Sequence, residues 1–95
     1  FFINNSIKPS IIKVDVEGYE YLIFKSMELF LIDNINCKII FEFVDWAEDL
    51  AKFEIGKAQE YLINLGYNLI DISTNDNIHN KIQKGSAMII AQKIT

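Results

Sequence analysis

The sequence predicts an α/β fold in which a mostly parallel sheet, covered by helices, ends in an antiparallel hairpin. Short β-branched runs alternate with longer segments whose apolar residues recur at helical spacing. Two glycines, Gly18 and Gly66, follow a predicted strand and a predicted helix. The predicted order is strand, helix, strand, helix, strand, strand, which corresponds to half of a doubly wound sheet.

The first strand and helix follow the only proline, Pro9, which suits a position just before a strand because it lacks an N–H group. Residues 11–16 form a short β-branched run that predicts a largely buried strand. Residues 19–32 then change to helical spacing, and Asp33 with Asn34 supplies the stop. The residues predicted to face the core are Tyr19, Ile23, Met27, Phe30 and Leu31.

A second strand and helix are predicted over residues 38–44 and 49–65. Gly66 then lies where a left-handed C-terminal cap is expected. The predicted buried stripe of this helix consists of Ala51, Ile55, Ala58, Leu62 and Leu65.

The last part of the chain is predicted to be a strand over residues 67–73, a polar loop over 75–85 and a final strand over 87–94. No helix separates these two strands, so their simplest connection is antiparallel. Because only two helices are predicted for the two faces of four strands, one helix layer is expected to be incomplete. This suggests that a preceding segment is missing, and without its strands the edge of residues 11–16 is expected to be unpaired and prone to association.

Composition excludes several classes of protein. The chain has 95 residues, 51% of them hydrophobic, which is the size of one domain and too apolar for disorder. A net charge of −4 with no arginine disfavours nucleic-acid binding, and no apolar run approaches a membrane span. The single cysteine, Cys37, fits a reducing cytoplasm. The opening Phe1-Phe2 has no initiator Met and no basic segment, so we expect it to lie inside a longer protein.

Acidic residues cluster where the first two strands end. Asp15, Glu17 and Glu20 flank the first strand-to-helix turn, and Glu42 and Asp45 lie at the end of the second strand. Ligands of open α/β sheets bind at the carboxyl ends of strands, so these acids are expected to share one rim. Such carboxylates could accept a proton from a hydroxyl, hold a divalent cation, or hydrogen-bond sugar hydroxyls or an ammonium group.

Each acid also has a structural interpretation. Glu17 and Glu20 could equally offset a helix dipole or cap free N–H groups. Asp15 and Glu42 interrupt apolar strands, where a buried charge is costly unless it is used or paired, so a functional role is favoured for them.

Other candidate residues are weaker. Trp46 could stack on a ligand or pack onto the following helix. His79 lies in the polar loop and is interpreted as a solvated surface residue, while Cys37 has no basic group arranged beside it to activate a thiolate. The sequence contains no phosphate-binding loop and no Gly-x-Gly-x-x-Gly motif.

Residues 12–20, IKVDVEGYE, resemble the (I/L)-K-(I/V)-D-(V/I)-E-G-x-E signature of FkbM-type methyltransferases. In that family the signature marks the fourth strand and following turn of a class I, S-adenosylmethionine-dependent fold. Residues 39–42 are similar to the family's fifth strand, which commonly ends in Glu, and residues 65–67 match a Gly-Tyr before its sixth strand.

The resemblance implies that the chain is the C-terminal half of a Rossmann-like class I methyltransferase sheet, with strands six and seven as the final hairpin. It implies an O-methyltransferase acting on a hydroxyl of a small molecule or sugar. S-adenosylmethionine would be bound mainly by an N-terminal half that this chain lacks, so the chain alone is expected to be inactive.

The site residues that this resemblance implies are the acids of the signature. Asp15 would be the base or orienting carboxylate, while Glu17, Glu20 and Glu42 would shape the acceptor pocket, with Trp46 as a further candidate for contact with the acceptor. The rival hypothesis is a non-catalytic α/β binding module, or a degenerate remnant, that uses the acids for a divalent cation or for structure.

Overall fold

The computed structural model describes residues 10–93, which form one mixed α/β unit. Pro9, the start of the chain and Ile94, for which the sequence analysis makes predictions, lie outside these residues. No helix within residues 10–93 is long and apolar enough to cross a membrane. The elements in chain order are β1 (Ile11–Val14), α1 (Glu20–Ser26), α2 (Glu28–Asp33), β2 (Lys38–Val44), α3 (Asp45–Leu50), α4 (Lys57–Asn64), β3 (Tyr67–Asp71), β4 (Asp76–Asn77) and β5 (Ser86–Lys93).

The five strands form a single sheet in the order β1-β2-β5-β3-β4. β1 and β2 are parallel, whereas β5 lies between β2 and β3 and is antiparallel to both. The antiparallel final strand agrees with the sequence prediction. Val14 lies opposite Phe41 in the β1–β2 register, so the next residues, Asp15 and Glu42, are neighbours at the carboxyl end of the parallel pair.

The core lies on one face of the sheet. Along β2, Ile39, Phe41 and Phe43 are buried, and the alternate side chains are only half-buried or exposed. Phe24 of α1 packs edge-on against Phe41 with ring centroids 5.2 Å apart, which joins the helix layer to the sheet. On the opposite face, Ile40 and Ile90 are in register and half-buried. One face is therefore less completely covered among the described residues, as the number of predicted helices indicates.

The first predicted helix is divided into α1 and α2 at Met27. The Met27 N–H donates to both Ile23 O and Phe24 O at 3.1 Å, and the Ser26 hydroxyl donates back to Ile23 O at 2.7 Å. Such backbone competition tightens and bends a helix. Of the predicted stripe, Met27 and Leu31 are buried but Tyr19 is half exposed, and Phe24 takes the central core position.

The second predicted helix is wrong in its bounds. Residues 45–50 already form α3 directly after β2, and α4 begins only at Lys57. Between them Lys52 and Gly56 have left-handed φ values of 67° and 87°, which an α-helix does not accept. Ala58 and Leu62 of the predicted stripe are buried, whereas Ala51, Ile55 and Leu65 are half-buried. Gly66 has a φ of 98°, as the predicted left-handed cap requires.

The third strand is shorter than predicted, and the predicted polar loop contains a short additional strand. β3 ends at Asp71, whose Oδ1 accepts the N–H and the hydroxyl of Ser73 at 3.0 and 2.7 Å, forming a local turn. The loop contains β4, which pairs with β3. Farther along, Gln59 of α4 exchanges two hydrogen bonds with the backbone of Ile82, at 2.9 and 2.8 Å, which holds the loop against the helix.

β1 has no strand on its outer side within residues 10–93, so we predict that the isolated 95-residue chain associates through this edge. Ile11 is 54% exposed along it, and Ile11→Lys should reduce the association by placing a charge on the edge. Leu50→Lys is the matched control, because Leu50 is an exposed apolar residue of α3 rather than of the edge. Sedimentation velocity measures the change. A monomeric wild-type chain with a sharp, high thermal transition would contradict the prediction.

Candidate active site

Asp15 lies at the carboxyl end of β1 but not within it. The strand ends at Val14, and Asp15 is exposed in the turn that follows. The expectation that Asp15 is a costly charge inside a buried strand is therefore wrong, because the strand is two residues shorter than predicted. Its role in chemistry stays a prediction that now rests on its position at the rim.

The turn after Asp15 has two consecutive residues in the left-handed region. Glu17 has a φ of 41° and Gly18 a φ of 97°. The Glu17 side chain is exposed, so its carboxylate is free to meet a ligand. A Cβ on Gly18 would lie 2.3 Å from the carbonyl oxygen of Ala47, so only glycine allows the turn to pack on the backbone of α3.

Glu20 is buried and belongs to the turn itself. It is 1% exposed, and its two carboxylate oxygens accept the N–H of Gly18 at 2.9 Å and the N–H of Val16 at 3.2 Å. This geometry favours the capping interpretation of Glu20 over direct contact with a ligand.

Glu42 lies near the end of β2 and is half-buried, opposite Met88 of β5. Its side chain belongs to the less covered face, because the alternate residues Phe41 and Phe43 occupy the core face. Glu42 therefore interrupts an apolar strand, as predicted, but without full burial. The register brings it beside Asp15, as predicted for a shared rim.

Asp45 and Trp46 begin α3 at the same rim. Asp45 Oδ1 accepts the Trp46 N–H at 2.6 Å and its Oδ2 accepts the Gly85 N–H at 2.9 Å, which ties α3 to the loop before β5. Trp46 is 62% exposed, which favours contact with a ligand over packing onto the following helix. The indole is available to a ligand at the rim.

A groove of about 490 Å³ runs along the outer side of β1 and ends at the rim. It is lined by Lys13, Val14, Asp15, Val16 and Ile23. The lining therefore combines three apolar side chains with one carboxylate and one ammonium group. This arrangement suits a ligand that carries both apolar and hydroxyl or charged groups.

Glu48 is a buried acid that the sequence analysis missed. It is 2% exposed, and its Oε1 accepts the N–H of Gly56, so it caps the approach to α4. Burial raises the pKa of the Glu48 carboxyl above its ordinary value of 4.5. The Gly56 and Lys57 N–H groups and the Lys81 charge lower this pKa, while the charge of Glu20 raises it further. Nothing in the sequence separates Glu48 from the exposed acids around it except Gly56, eight residues later.

The raised pKa of Glu48 predicts a pH dependence of stability. Between pH 4.5 and the higher pKa of the folded chain, the unfolded chain releases this proton while the folded chain retains it. The contribution of Glu48 to the free energy of unfolding therefore falls as pH rises through this window. Glu48→Gln should flatten that slope, as measured by urea denaturation at several pH values. Glu54→Gln, at an exposed position, should leave the slope unchanged. Equal slopes for the wild type and Glu48→Gln would contradict this prediction.

The remaining candidates lie away from the rim. Cys37 is buried and burial raises the pKa of its thiol, which disfavours a thiolate nucleophile. His79 is exposed beside a pocket of about 280 Å³ on the far edge of the sheet. Across residues 10–93, no three His, Cys, Asp or Glu side chains are gathered so as to hold a metal ion.

One comparison with known proteins gave a match. The family model described as the methyltransferase FkbM domain matches residues 2–69, which is more than half of the chain and includes β1, the acidic turn, β2 and α4. No curated protein and no solved structure was found to match this chain.

Proposed function

The chain belongs to the FkbM methyltransferase family, and from this premise we propose that its protein transfers a methyl group from S-adenosylmethionine to a hydroxyl of a small molecule or sugar. The observation that carries the proposal is the family match across the acidic turn and β2, because these elements form the rim described above. Asp15 and Glu42 follow the last registered pair of β1 and β2, Val14 and Phe41, and Trp46 is exposed on the next helix.

We further propose that the chain is the C-terminal half of a Rossmann-like class I methyltransferase sheet. β1, β2, β3 and β5 would be strands four to seven of that fold. Within residues 10–93 no strand pairs with the outer edge of β1, which supports this assignment because a further parallel strand could continue the sheet there.

The described residues fit one side of the cofactor site. The groove beside β1 brings a carboxylate and apolar surface to the carboxyl end of the strand, and within residues 10–93 no further strand covers it. Residues outside the described part would therefore supply most contacts to the nucleoside. Of this chain, Asp15 and Val16 would line the remaining side.

The rim residues would prepare the acceptor. S-adenosylmethionine, when bound, supplies a methyl group activated on a sulfonium. The Asp15 carboxylate would orient the acceptor hydroxyl and accept its proton as the oxygen–carbon bond forms and the carbon–sulfur bond breaks. Glu42 and Glu17 would hydrogen-bond neighbouring hydroxyls, and the exposed indole of Trp46 would cover an apolar face of the acceptor. Alignment of the two substrates is the main demand of this displacement.

The test is transfer of an isotopically labelled methyl group by the full-length protein to a panel of hydroxyl-bearing sugars and small molecules, with mass spectrometry of the products. We expect an O-methyl product together with S-adenosylhomocysteine. Label found only on nitrogen or sulfur would overturn hydroxyl methylation, and no transfer to any member of a broad panel would favour a non-catalytic binding module.

A further inference from the structure

The two charged side chains that are buried within residues 10–93 are both glutamates, and they belong to neighbouring parts of the candidate site. Glu20 starts α1 and is 1% exposed, and Glu48 lies in α3 and is 2% exposed. Carboxyl groups in a protein interior destabilise the fold unless hydrogen bonds compensate for the loss of water. The helices alone do not explain why these two carboxyl groups are buried, so their hydrogen-bond partners have to be considered.

Each carboxylate holds a different segment of backbone. Glu20 accepts the N–H groups of Gly18 and Val16, and so fixes a turn that includes the strained left-handed residue Glu17. Glu48 accepts the N–H of Gly56, and so connects α3 to the start of α4. The first segment bears Asp15 and Glu17, whereas α3 bears Trp46.

A direct contact joins these two segments. Gly18 lies against the backbone of Ala47 and Glu48 so closely that an added Cβ would be 2.3 Å from Ala47 O and 3.1 Å from Glu48 N. The charge of Glu20 also acts on the Glu48 carboxyl, which places both groups in one electrostatic environment. A displacement of α3 would therefore move the turn, and a displacement of the turn would move α3.

We propose that Glu20 and Glu48 are a coupled pair of positioning residues that lock the β1–α1 turn and α3 into one rigid unit, so that Asp15 and Trp46 keep a fixed relation at the rim. The part of this proposal that concerns catalysis rests on the proposed methyl transfer. The coupling itself does not, since it follows from hydrogen bonds and backbone contact alone.

Hydrogen–deuterium exchange of the full-length protein tests the coupling without any activity. Glu48→Ala removes the hydrogen bond to Gly56. We expect amide exchange of the peptide spanning residues 16–19 to accelerate by about tenfold, although the Glu48 side chain makes no hydrogen bond with those residues. Glu48→Gln keeps a carbonyl oxygen for Gly56 and should restore slow exchange. Acceleration confined to residues 54–58 would overturn the proposal, because it would show two independent caps.

The reciprocal variant covers the case in which Glu48→Ala fails to fold. Glu20→Gln preserves volume but leaves one carbonyl oxygen for two N–H groups, so exchange should accelerate in residues 45–50 as well as in the turn. Glu54→Gln is the control, because Glu54 is an exposed acid that pairs with Lys81. Wild-type exchange of residues 45–50 in Glu20→Gln would overturn the proposal.

Activity then tests the link to catalysis. At a temperature where the variant is fully folded, Glu20→Gln should lower kcat for the acceptor by about tenfold with an unchanged KM for S-adenosylmethionine, since misplacement at the rim weakens alignment. An unchanged kcat would overturn the catalytic link. Absence of any wild-type transfer would count against the proposed function, while the exchange experiment would still decide the coupling.

Discussion

Gly18→Ala is expected to produce the largest loss of stability of any single methyl addition in the described chain. The new Cβ would stand 2.3 Å from Ala47 O and 2.6 Å from Ala47 C, and both are backbone atoms that cannot rotate away. The φ of 97° adds strain for any residue with a Cβ. Overpacking and left-handed strain together should cost about 3 kcal/mol or more, measured as the change in free energy of unfolding in urea.

Gly66→Ala is the matched control for this substitution. Gly66 has nearly the same φ, 98°, but no atom lies within 4 Å of an added Cβ. Its cost should be limited to the conformational strain, about 1 kcal/mol. Equal losses for the two variants would show that the contact with Ala47 contributes nothing, and the account of the turn and α3 as one unit would then be wrong.

Asp15→Asn is expected to produce the largest loss of activity. The amide retains the size of the carboxylate but cannot accept the acceptor's proton, so transfer by the full-length protein should fall by about 100-fold or more. Stability should change little because Asp15 is exposed. Initial rates of labelled methyl transfer, with unfolding curves for the same preparations, measure both effects.

Asp33→Asn is the control for this loss, since Asp33 is also exposed but lies at the end of α2. It should leave transfer at the wild-type rate. If Asp15→Asn also kept the wild-type rate, Asp15 would not be the base. The acidic rim would then have to act through Glu17 or Glu42.

The fold could be predicted where local pattern and tertiary structure agree. The β-branched runs at residues 11–14 and 38–44 became parallel strands, and Gly66 took the left-handed conformation that a helix end requires. The division at Met27 could not be predicted, because a serine hydroxyl that competes for Ile23 O leaves the helical spacing unchanged. The insertion of β5 between β2 and β3 depends on long-range pairing that has no local signal.

The candidate site could be predicted in its location more than in its roles. The rule that ligands bind at the carboxyl ends of strands predicts that Asp15 and Glu42 share one rim, and the parallel register of β1 and β2 is consistent with that position. The predicted burial of Asp15 is wrong because the boundaries of strands predicted from sequence are uncertain by about two residues or more. Glu48 was missed because its burial depends on Gly56 and on the turn of another element, neither of which is visible from its own neighbours.

The family could be predicted from the signature in residues 12–20, and the structure explains why the residues of this signature occur in that order. Its aspartate, Asp15, lies at the rim, and its glycine, Gly18, packs against Ala47. Its last glutamate, Glu20, accepts hydrogen bonds from the backbone that joins those two residues. The match of the FkbM methyltransferase domain to residues 2–69 confirmed the resemblance. The acceptor has no comparable signature in this chain, since Trp46, Glu17 and Glu42 are compatible with many hydroxyl-bearing molecules.

Calorimetric titration of the full-length protein with S-adenosylmethionine is the most direct test of the proposal that this protein is a methyltransferase whose acidic rim faces the cofactor. We predict saturable binding at one molecule per chain, with the product S-adenosylhomocysteine competing for the same site. Absence of binding by a folded full-length protein, at cofactor concentrations up to about 1 mM, would contradict it, because a dissociation constant above that value leaves only about 4 kcal/mol of binding free energy.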